Sequence, residues 1–61
     1  MRVNDIIISA DGRGYDVEKI DIDQVKARAQ GPHGRLKTFD AERLFCIDHN
    51  QGLYQETKEE R

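Results

Sequence analysis

The chain has 61 residues, with 10 Lys and Arg against 12 Asp and Glu, so its formal net charge is -2 at pH 7. A chain this short forms one domain with a small core and buries only about 60% of the surface that its unfolded form exposes. The slightly acidic balance argues against a protein dedicated to nucleic acid, because affinity for phosphate backbones comes mainly from Lys and Arg.

The single cysteine, Cys46, excludes an internal disulfide and fits a reducing compartment, where it is expected to act as a small buried apolar residue. The N-terminal apolar run, Ile6 to Ile8, is too short for a signal peptide or a membrane helix. We therefore expect a cytoplasmic protein without membrane association. Domains of this size usually add a disulfide, a metal or a partner subunit to a marginal core, and here a protein partner fits best.

Alternation of apolar and polar residues predicts five short strands. They run over about residues 3–9, 15–22, 25–30, 36–39 and 45–47. The alternation changes parity at Glu18-Lys19, which predicts a β-bulge or a sharp bend in the second strand. Asp23-Gln24 then predicts a two-residue hairpin connection that sets Ile22 opposite Val25.

Two further turns are predicted. Gly31-Pro32-His33-Gly34 has Pro and Gly where a type I turn favours them, so the chain reverses before the fourth strand. Leu36 and Phe39 differ in parity, and a bulge near Thr38 is expected so that both can face the core. Asp40 to Leu44 combines a capping residue with helix formers and predicts one helical or 3-10 turn.

The C-terminal residues 55–61 are almost wholly polar and cannot bury enough surface to offset their ordering entropy. The sequence therefore predicts a domain over residues 1–54 and a disordered tail over 55–61. Leu53 and Tyr54 are the last residues expected to pack, against the barrel or against another chain. Phe39 and Phe45 are assigned to the core.

Several segments resemble SH3-like small β-barrels of the KOW and Tudor type. Val3 to Ile8 is similar to their first strand, with Asn4 at the place where such barrels often have glycine before aspartate. The later segments keep the order of these barrels over Val3 to Ile47: four strands, a 3-10 turn and a short closing strand. The resemblance implies a five-stranded SH3-like barrel that binds a peptide or nucleic acid.

The candidate binding residues are basic or aromatic side chains on the second to fourth strands. They are Lys26, Arg28, His33, Arg35, Lys37 and Tyr15. By the alternation, the four Lys and Arg of this set point outward as a basic stripe, which could hold a phosphate backbone or an acidic partner. The alternative, without a binding function, is a solvated face whose cations pair with acidic side chains on the second strand, such as Asp21 with Lys26.

Nothing in the sequence has the spacing of a catalytic or metal site. Cys46, Asp48 and His49, with the distant His33, lack the paired short spacings of a zinc site and the arrangement of a thiol nucleophile. Asp11-Gly12-Arg13-Gly14 has too few glycines for a phosphate-binding loop, and no helix follows it. We expect no metal, no cofactor and no enzymatic activity.

Two functions follow as hypotheses. The first is a small interaction module that binds a protein partner or a second copy of itself through a barrel face, a loop or a strand edge. The alternative is a small nucleic-acid-binding regulator that uses the basic stripe. An enzyme built from several barrels around a shared pore is disfavoured, because the Val-Gln-Ile-Tyr pore strand of SH3-like plasmid reductases is absent.

Overall fold

The computed structural model describes residues 1–58 and contains one curled sheet of six strands that forms a half-barrel. The elements are β1 (Ile6–Ile8), β2 (Gly14–Ile20), β3 (Gln24–Ala29), β4 (Leu36–Asp40), a 3-10 turn (Ala41–Arg43), β5 (Leu44–Asp48) and β6 (Leu53–Glu56). The strand order is β4-β3-β2-β1-β6-β5, so β4 and β5 are the two edges. The mostly-β class and the single 3-10 turn are confirmed.

The core lies on the inner, concave face of the sheet. It consists of Ile7, Tyr15, Val17, Val25, Ala27 and Phe39. The rings of Tyr15 and Phe39 meet edge to face, with their centroids 5.1 Å apart and their planes at 76°. Leu44, directly after the 3-10 turn, packs against this cluster and stays partly exposed.

The bulge in β2 is confirmed, but the hairpin after it differs from the prediction. The register between β2 and β3 shifts between Val17 and Lys19, and Ile20 rather than Ile22 pairs with Val25. The hairpin closes at a different place from the prediction, because the N–H of Asp21 bonds the carbonyl of Gln24 at 2.8 Å and leaves Ile22 and Asp23 at the tip. As a result Ile22 is fully exposed, and Lys26 pairs with Lys19 instead of Asp21.

The bulge expected near Thr38 is absent. The pairing of β4 with β3 is regular from Gln24 opposite Asp40 to Arg28 opposite Leu36. Phe39 faces the core, and the parity conflict is resolved by leaving Leu36 on the outer face, 45% exposed. A single exposed leucine is a common feature of protein surfaces and costs less than breaking the ladder.

The sequence predicts five strands, and the structure adds β6, which runs parallel to β1 with Ile7 opposite Tyr54. The predicted boundary at Gln55 falls inside this strand. Its polar residues are ordered by side-chain bonds: Gln55 Nε2 donates to the carbonyl of Ile8 at 3.3 Å, and Glu56 Oε1 accepts the Ala10 N–H at 2.9 Å. Residues 59–61 of the predicted tail lie outside the described residues.

The segment that resembled the first strand of an SH3-like barrel has a distinctive backbone. Asn4, at the place where such barrels often have glycine, has a φ of 80°, in the left-handed region that glycine and asparagine tolerate best. Its N–H bonds the carbonyl of Val17 at 2.9 Å. The curled mostly-β sheet is compatible with an SH3-like barrel. Over residues 1–58, no helix has the length and apolar character needed to cross a membrane.

Candidate functional site

The structure divides the predicted basic stripe between the two faces of the sheet. Lys37 pairs with Ala27, which belongs to the inner face, whereas Lys26 pairs with Thr38 and Arg28 with Leu36 on the outer face. Successive residues of a strand point to opposite faces, so Arg35, two residues before Lys37, lies on the same face as Lys37 and not on the face of Arg28. The four cations therefore do not form one outward row.

Arg28, on the outer face, already has a partner within the sheet. Its Nε lies 2.8 Å from Oε2 of Glu18, and its Nη1 lies 3.4 Å from the carbonyl oxygen of Gly34. The hydrogen bond that Arg28 donates to Glu18, together with the charge of that carboxylate, raises the pKa of Arg28. Both side chains are about half exposed, so the pair is of the weak surface type. The structure of Arg28 therefore agrees with the alternative interpretation, an exposed cation that pairs with an acidic side chain of β2.

The other predicted residues meet in an open groove at the mouth of the half-barrel. We call it the mouth groove; it is lined by Arg13, Tyr15, His33, Arg35 and Lys37, together with the β3–β4 turn. Its volume is about 560 Å³, and no lining residue in the described part of the chain is acidic. Arg13 was not among the candidate binding residues of the sequence. The available signal was its position, directly before Gly14 and two residues before Tyr15.

Lys37 is held above the floor of the mouth groove. Its Nζ lies 4.9 Å from the ring centroid of Phe39 and 5.6 Å from that of Tyr15, within the range of cation-π attraction. It also lies 4.0 Å from Oε1 of Glu56. Arg35 and His33 are exposed at the rim. Tyr15 is only 8% exposed, so it offers little ring surface for stacking a base.

A second surface lies on the outer face of β1, β6 and β5, where the sequence analysis placed no site. We call it the β5 surface; it consists of Ile6, Ile8, Phe45, Ile47 and Leu53. Ile6 pairs with Leu53, while Ile8 and Phe45 both pair with Gln55, so the side chains of these four residues share one face. The exposed Ile47 follows at the register shift between Cys46 and Asp48. Phe45 is 49% and Ile47 50% exposed, and the prediction that Phe45 belongs to the core is wrong. Phe45 lies outside because the inward positions of β5 are those of Leu44 and Cys46.

The signal for this surface was present in the sequence. A half-buried strand alternates apolar and polar residues, whereas Ile6-Ile7-Ile8 and Phe45-Cys46-Ile47 are continuous apolar runs. In the first run Ile7 faces the core, which leaves its two neighbours on the outer face. A run of this kind indicates a strand with two apolar faces. In the described chain the second face is exposed at Phe45 and Ile47, while Ile6, Ile8 and Leu53 are partly buried.

The β5 surface borders an open strand edge. The N–H of Thr57 bonds the carbonyl of Arg43 at 2.7 Å, so the backbone of Arg43 points toward β6. Antiparallel pairing alternates the direction of the backbone groups, and those of Leu44 and Cys46 therefore point away from β6. The Leu44 N–H already bonds the carbonyl of Ala41 in the 3-10 turn, so the groups open to another strand are the carbonyl of Leu44 and the backbone groups of Cys46. Cys46 is exposed, which corrects its assignment as a buried apolar residue.

The two edges of the sheet differ in their protection against pairing. Natural edges are often blocked by lysine, proline, bulges or inward-pointing charges. On β4 the inward-pointing Lys37 has this role. On β5, the sequence Leu44-Phe45-Cys46-Ile47 contains neither lysine nor proline, and a register shift between Cys46 and Asp48 is its one irregularity. This register shift protects only the C-terminal end of β5, so the segment from Leu44 to Cys46 is the part of the edge that can accept another strand.

The described residues offer no catalytic or metal-binding arrangement. In residues 1–58, no three His, Cys, Asp or Glu side chains lie together in a way that could hold a metal ion. Burial, with smaller contributions from Cys46 and Asp5, raises the pKa of Tyr54, so its phenol stays protonated at neutral pH. Compared with protein-family models, with curated proteins and with solved structures, the chain matches none.

Proposed function

We propose that this chain is a non-catalytic interaction module that binds a protein partner through the β5 surface and its open edge. The observation that carries the proposal is the half-exposed pair Phe45 and Ile47 on an edge strand without lysine or proline. A partner strand added to β5 would bond the carbonyl of Leu44 and the N–H and carbonyl groups of Cys46, since the Leu44 N–H already bonds the carbonyl of Ala41. Main-chain bonds then supply affinity, and the side chains on one face supply selectivity.

The energetics favour occupation of this surface. Complete burial of a Phe or Ile side chain contributes about 1.5–3 kcal/mol, so covering two half-exposed side chains gives about that much in total. The core contains only six buried apolar residues, and a partner that binds the folded state alone stabilises it by mass action. Docking of a partner would therefore bury the exposed apolar side chains and also stabilise the folded state of the chain.

Photo-crosslinking in the source organism tests this function. A benzoylphenylalanine at Ile47 is expected to capture a protein partner, and the substitution Phe45→Lys is expected to abolish that adduct. The same probe at Ile22, which is fully exposed on the β2–β3 turn, is the matched control. Equal adducts from both positions, or adducts that persist with Phe45→Lys, would count against docking on the β5 surface.

The mouth groove favours a second candidate function, the binding of nucleic acid. Arg13, Arg35 and Lys37 line one groove without an acidic lining residue in the described chain. Fluorescence anisotropy with single-stranded and duplex oligonucleotides, at low and moderate salt, tests it. Binding should weaken as salt rises and should be lost in Arg35→Gln/Lys37→Gln but not in Lys26→Gln, whose cation lies on the other face. Absence of binding at low salt removes this candidate.

A further inference from the structure

We infer that the occupant of the β5 surface is a second copy of this chain, joined by antiparallel pairing of the two β5 strands around a two-fold axis at Phe45. The inference rests on the proposed function, because it uses the same surface. It specifies the partner, the register and the pair of residues on the axis. The result is one continuous sheet that runs through both copies.

The backbone fixes the register. The outward-pointing groups of β5 belong to Leu44 and Cys46, so a second β5 strand must place its own outward-pointing groups against these. With the axis at Phe45, the Cys46 N–H of each copy donates to the Leu44 carbonyl of the other, which gives two symmetric bonds; the Leu44 N–H keeps its bond to the carbonyl of Ala41. The pairing ends before the irregularity that lies between Cys46 and Asp48.

The side chains of this register are compatible. Phe45 meets its own copy across a pair without main-chain bonds, the site where cross-strand side chains come closest. Ile47 lies opposite Arg43 of the second copy, whose aliphatic stem can cover an apolar neighbour. No two like charges face each other over residues 43–47, so the strand is complementary to itself.

Three features favour a second copy over an unrelated partner. A two-fold contact uses one patch twice, and this chain has one edge that is open to pairing, since Lys37 blocks the other. A single open edge gives a closed dimer and not a filament. A standard interface covers about 800 Å² on each partner, which is a realistic part of the 4664 Å² that the chain exposes.

Light scattering after size exclusion, over a dilution series of the purified full chain, tests the dimer. The expected mass is twice the 7.1 kDa of the chain. Phe45→Lys should halve it, because two ammonium groups would then face each other on the axis. Ile22→Lys makes the same chemical change on a fully exposed residue far from β5 and should leave the dimer intact. A monomer at every concentration, or equal dissociation by both variants, overturns the inference.

Amide hydrogen exchange tests the register without any substitution. The Cys46 N–H is bonded to the second copy in the dimer, so its exchange should be slow and should accelerate on dilution. The Leu44 N–H bonds the carbonyl of Ala41 within the chain, and its exchange should not depend on dilution. In Phe45→Lys the Cys46 amide should exchange rapidly, while the Val17 N–H, bonded to the carbonyl of Asp5 at 2.8 Å, stays protected if the variant is folded. Rapid exchange of Cys46 in a dimeric wild-type chain overturns the β5 pairing.

The failures of the two proposals are distinguishable. A purified chain that is monomeric, with a different protein captured from position 47 in cells, overturns the second-copy inference and supports the proposed function. A monomeric chain with no Phe45-dependent adduct in cells overturns both. Capture of the chain by itself from position 47, together with the doubled mass, supports both.

Discussion

The Nζ of Lys37 on β4 lies 4.0 Å from Oε1 of Glu56 on β6, although three strands separate β4 and β6 in the order of the sheet. This approach exists because the sheet curls until its distant strands face each other across the mouth. The same carboxylate oxygen accepts the Ala10 N–H at 2.9 Å. Glu56, with 15% of its side chain exposed, thus links the β1–β2 loop to the rim of the mouth groove.

We expect Glu56→Ala to lower the free energy of unfolding by about 1–3 kcal/mol, because the Ala10 N–H loses its acceptor. Glu56→Gln keeps an acceptor oxygen and should cost less. Lys37→Met removes a half-exposed ion pair and the cation-π contacts with Phe39 and Tyr15 but keeps an apolar side chain, so it should cost about 1 kcal/mol, less than Glu56→Ala. Urea unfolding of the three variants measures these values. Similar losses from Glu56→Ala and Lys37→Met would show that the ion pair, and not the bond to Ala10, stabilises the mouth.

Two isoleucines at opposite extremes of burial test the core. Ile7 is completely buried and Ile22 completely exposed. Ile7→Ala leaves a cavity and should lower the free energy of unfolding by about 2–5 kcal/mol. For a domain of this size, that loss is enough to unfold most of the molecules at room temperature. Ile22→Ala should change the stability by less than about 0.5 kcal/mol. Circular dichroism during thermal unfolding measures both, and a folded, unperturbed Ile7→Ala variant would contradict the assigned core.

The β3–β4 turn depends on the absence of a side chain at Gly34. A Cβ at this position would overlap the backbone carbonyl oxygen of Ala29, which cannot move without disturbing β3. We expect Gly34→Ala to cost about 1–3 kcal/mol. Gly14→Ala is the matched control, because its Cβ would meet Gln30 Oε1 at 2.9 Å, the mobile end of a flexible side chain. Equal unfolding free energies for the two variants would show that the Ala29 carbonyl is not a fixed obstacle.

The loop after β1 gives the protein an acid-sensitive contact. The side chain of Ser9 and the Arg13 N–H bond the Asp11 carboxylate and lower its pKa from the ordinary 3.8. A carboxyl group whose pKa is lower in the folded than in the unfolded state stabilises the protein at any pH above the unfolded-state pKa. This contribution is lost as the pH falls through the folded-state pKa.

Asp11→Asn should therefore reduce the loss of stability that accompanies acidification below about pH 4. Urea unfolding at a series of pH values between about 6 and 2 measures this slope. Asp21→Asn, in the exposed β2–β3 turn, controls for the removal of one negative charge. A slope for Asp11→Asn as steep as that of the wild type would contradict the role of the Ser9–Asp11–Arg13 contact.

The success of sequence reasoning differed between the two halves of the chain. The change of parity at Glu18-Lys19 predicted the bulge, because a bulge shifts the alternation of apolar and polar residues in its strand by one residue. The predicted pairing of Ile22 with Val25 was wrong, because the hairpin closes between Asp21 and Gln24 and this sets a different register. Phe45 was misassigned because the inner side of an edge strand is defined by its neighbour, and β6 was not among the predicted strands.

The candidate site was predictable as a set of residue types and not as a surface. The sequence identified Arg35, Lys37, His33 and Tyr15, which the structure brings together in the mouth groove. It also joined Lys26 and Arg28 to them, and the register of β3 and β4 separates these two onto the other face. A shift of one residue moves a side chain to the opposite face, so a face assignment is only as good as the register behind it.

By itself, the sequence determined the mostly-β class, the approximate strands and the inward residues of β2 and β3, because a period of two is a local property of the chain. Only the tertiary structure decided that β6 lies parallel beside β1, that β5 becomes an open edge and that Lys37 points into the mouth. These features depend on which distant strands pair and on how far the sheet curls. Neither is encoded in the alternation of neighbouring residues, since many pairings satisfy the same local pattern.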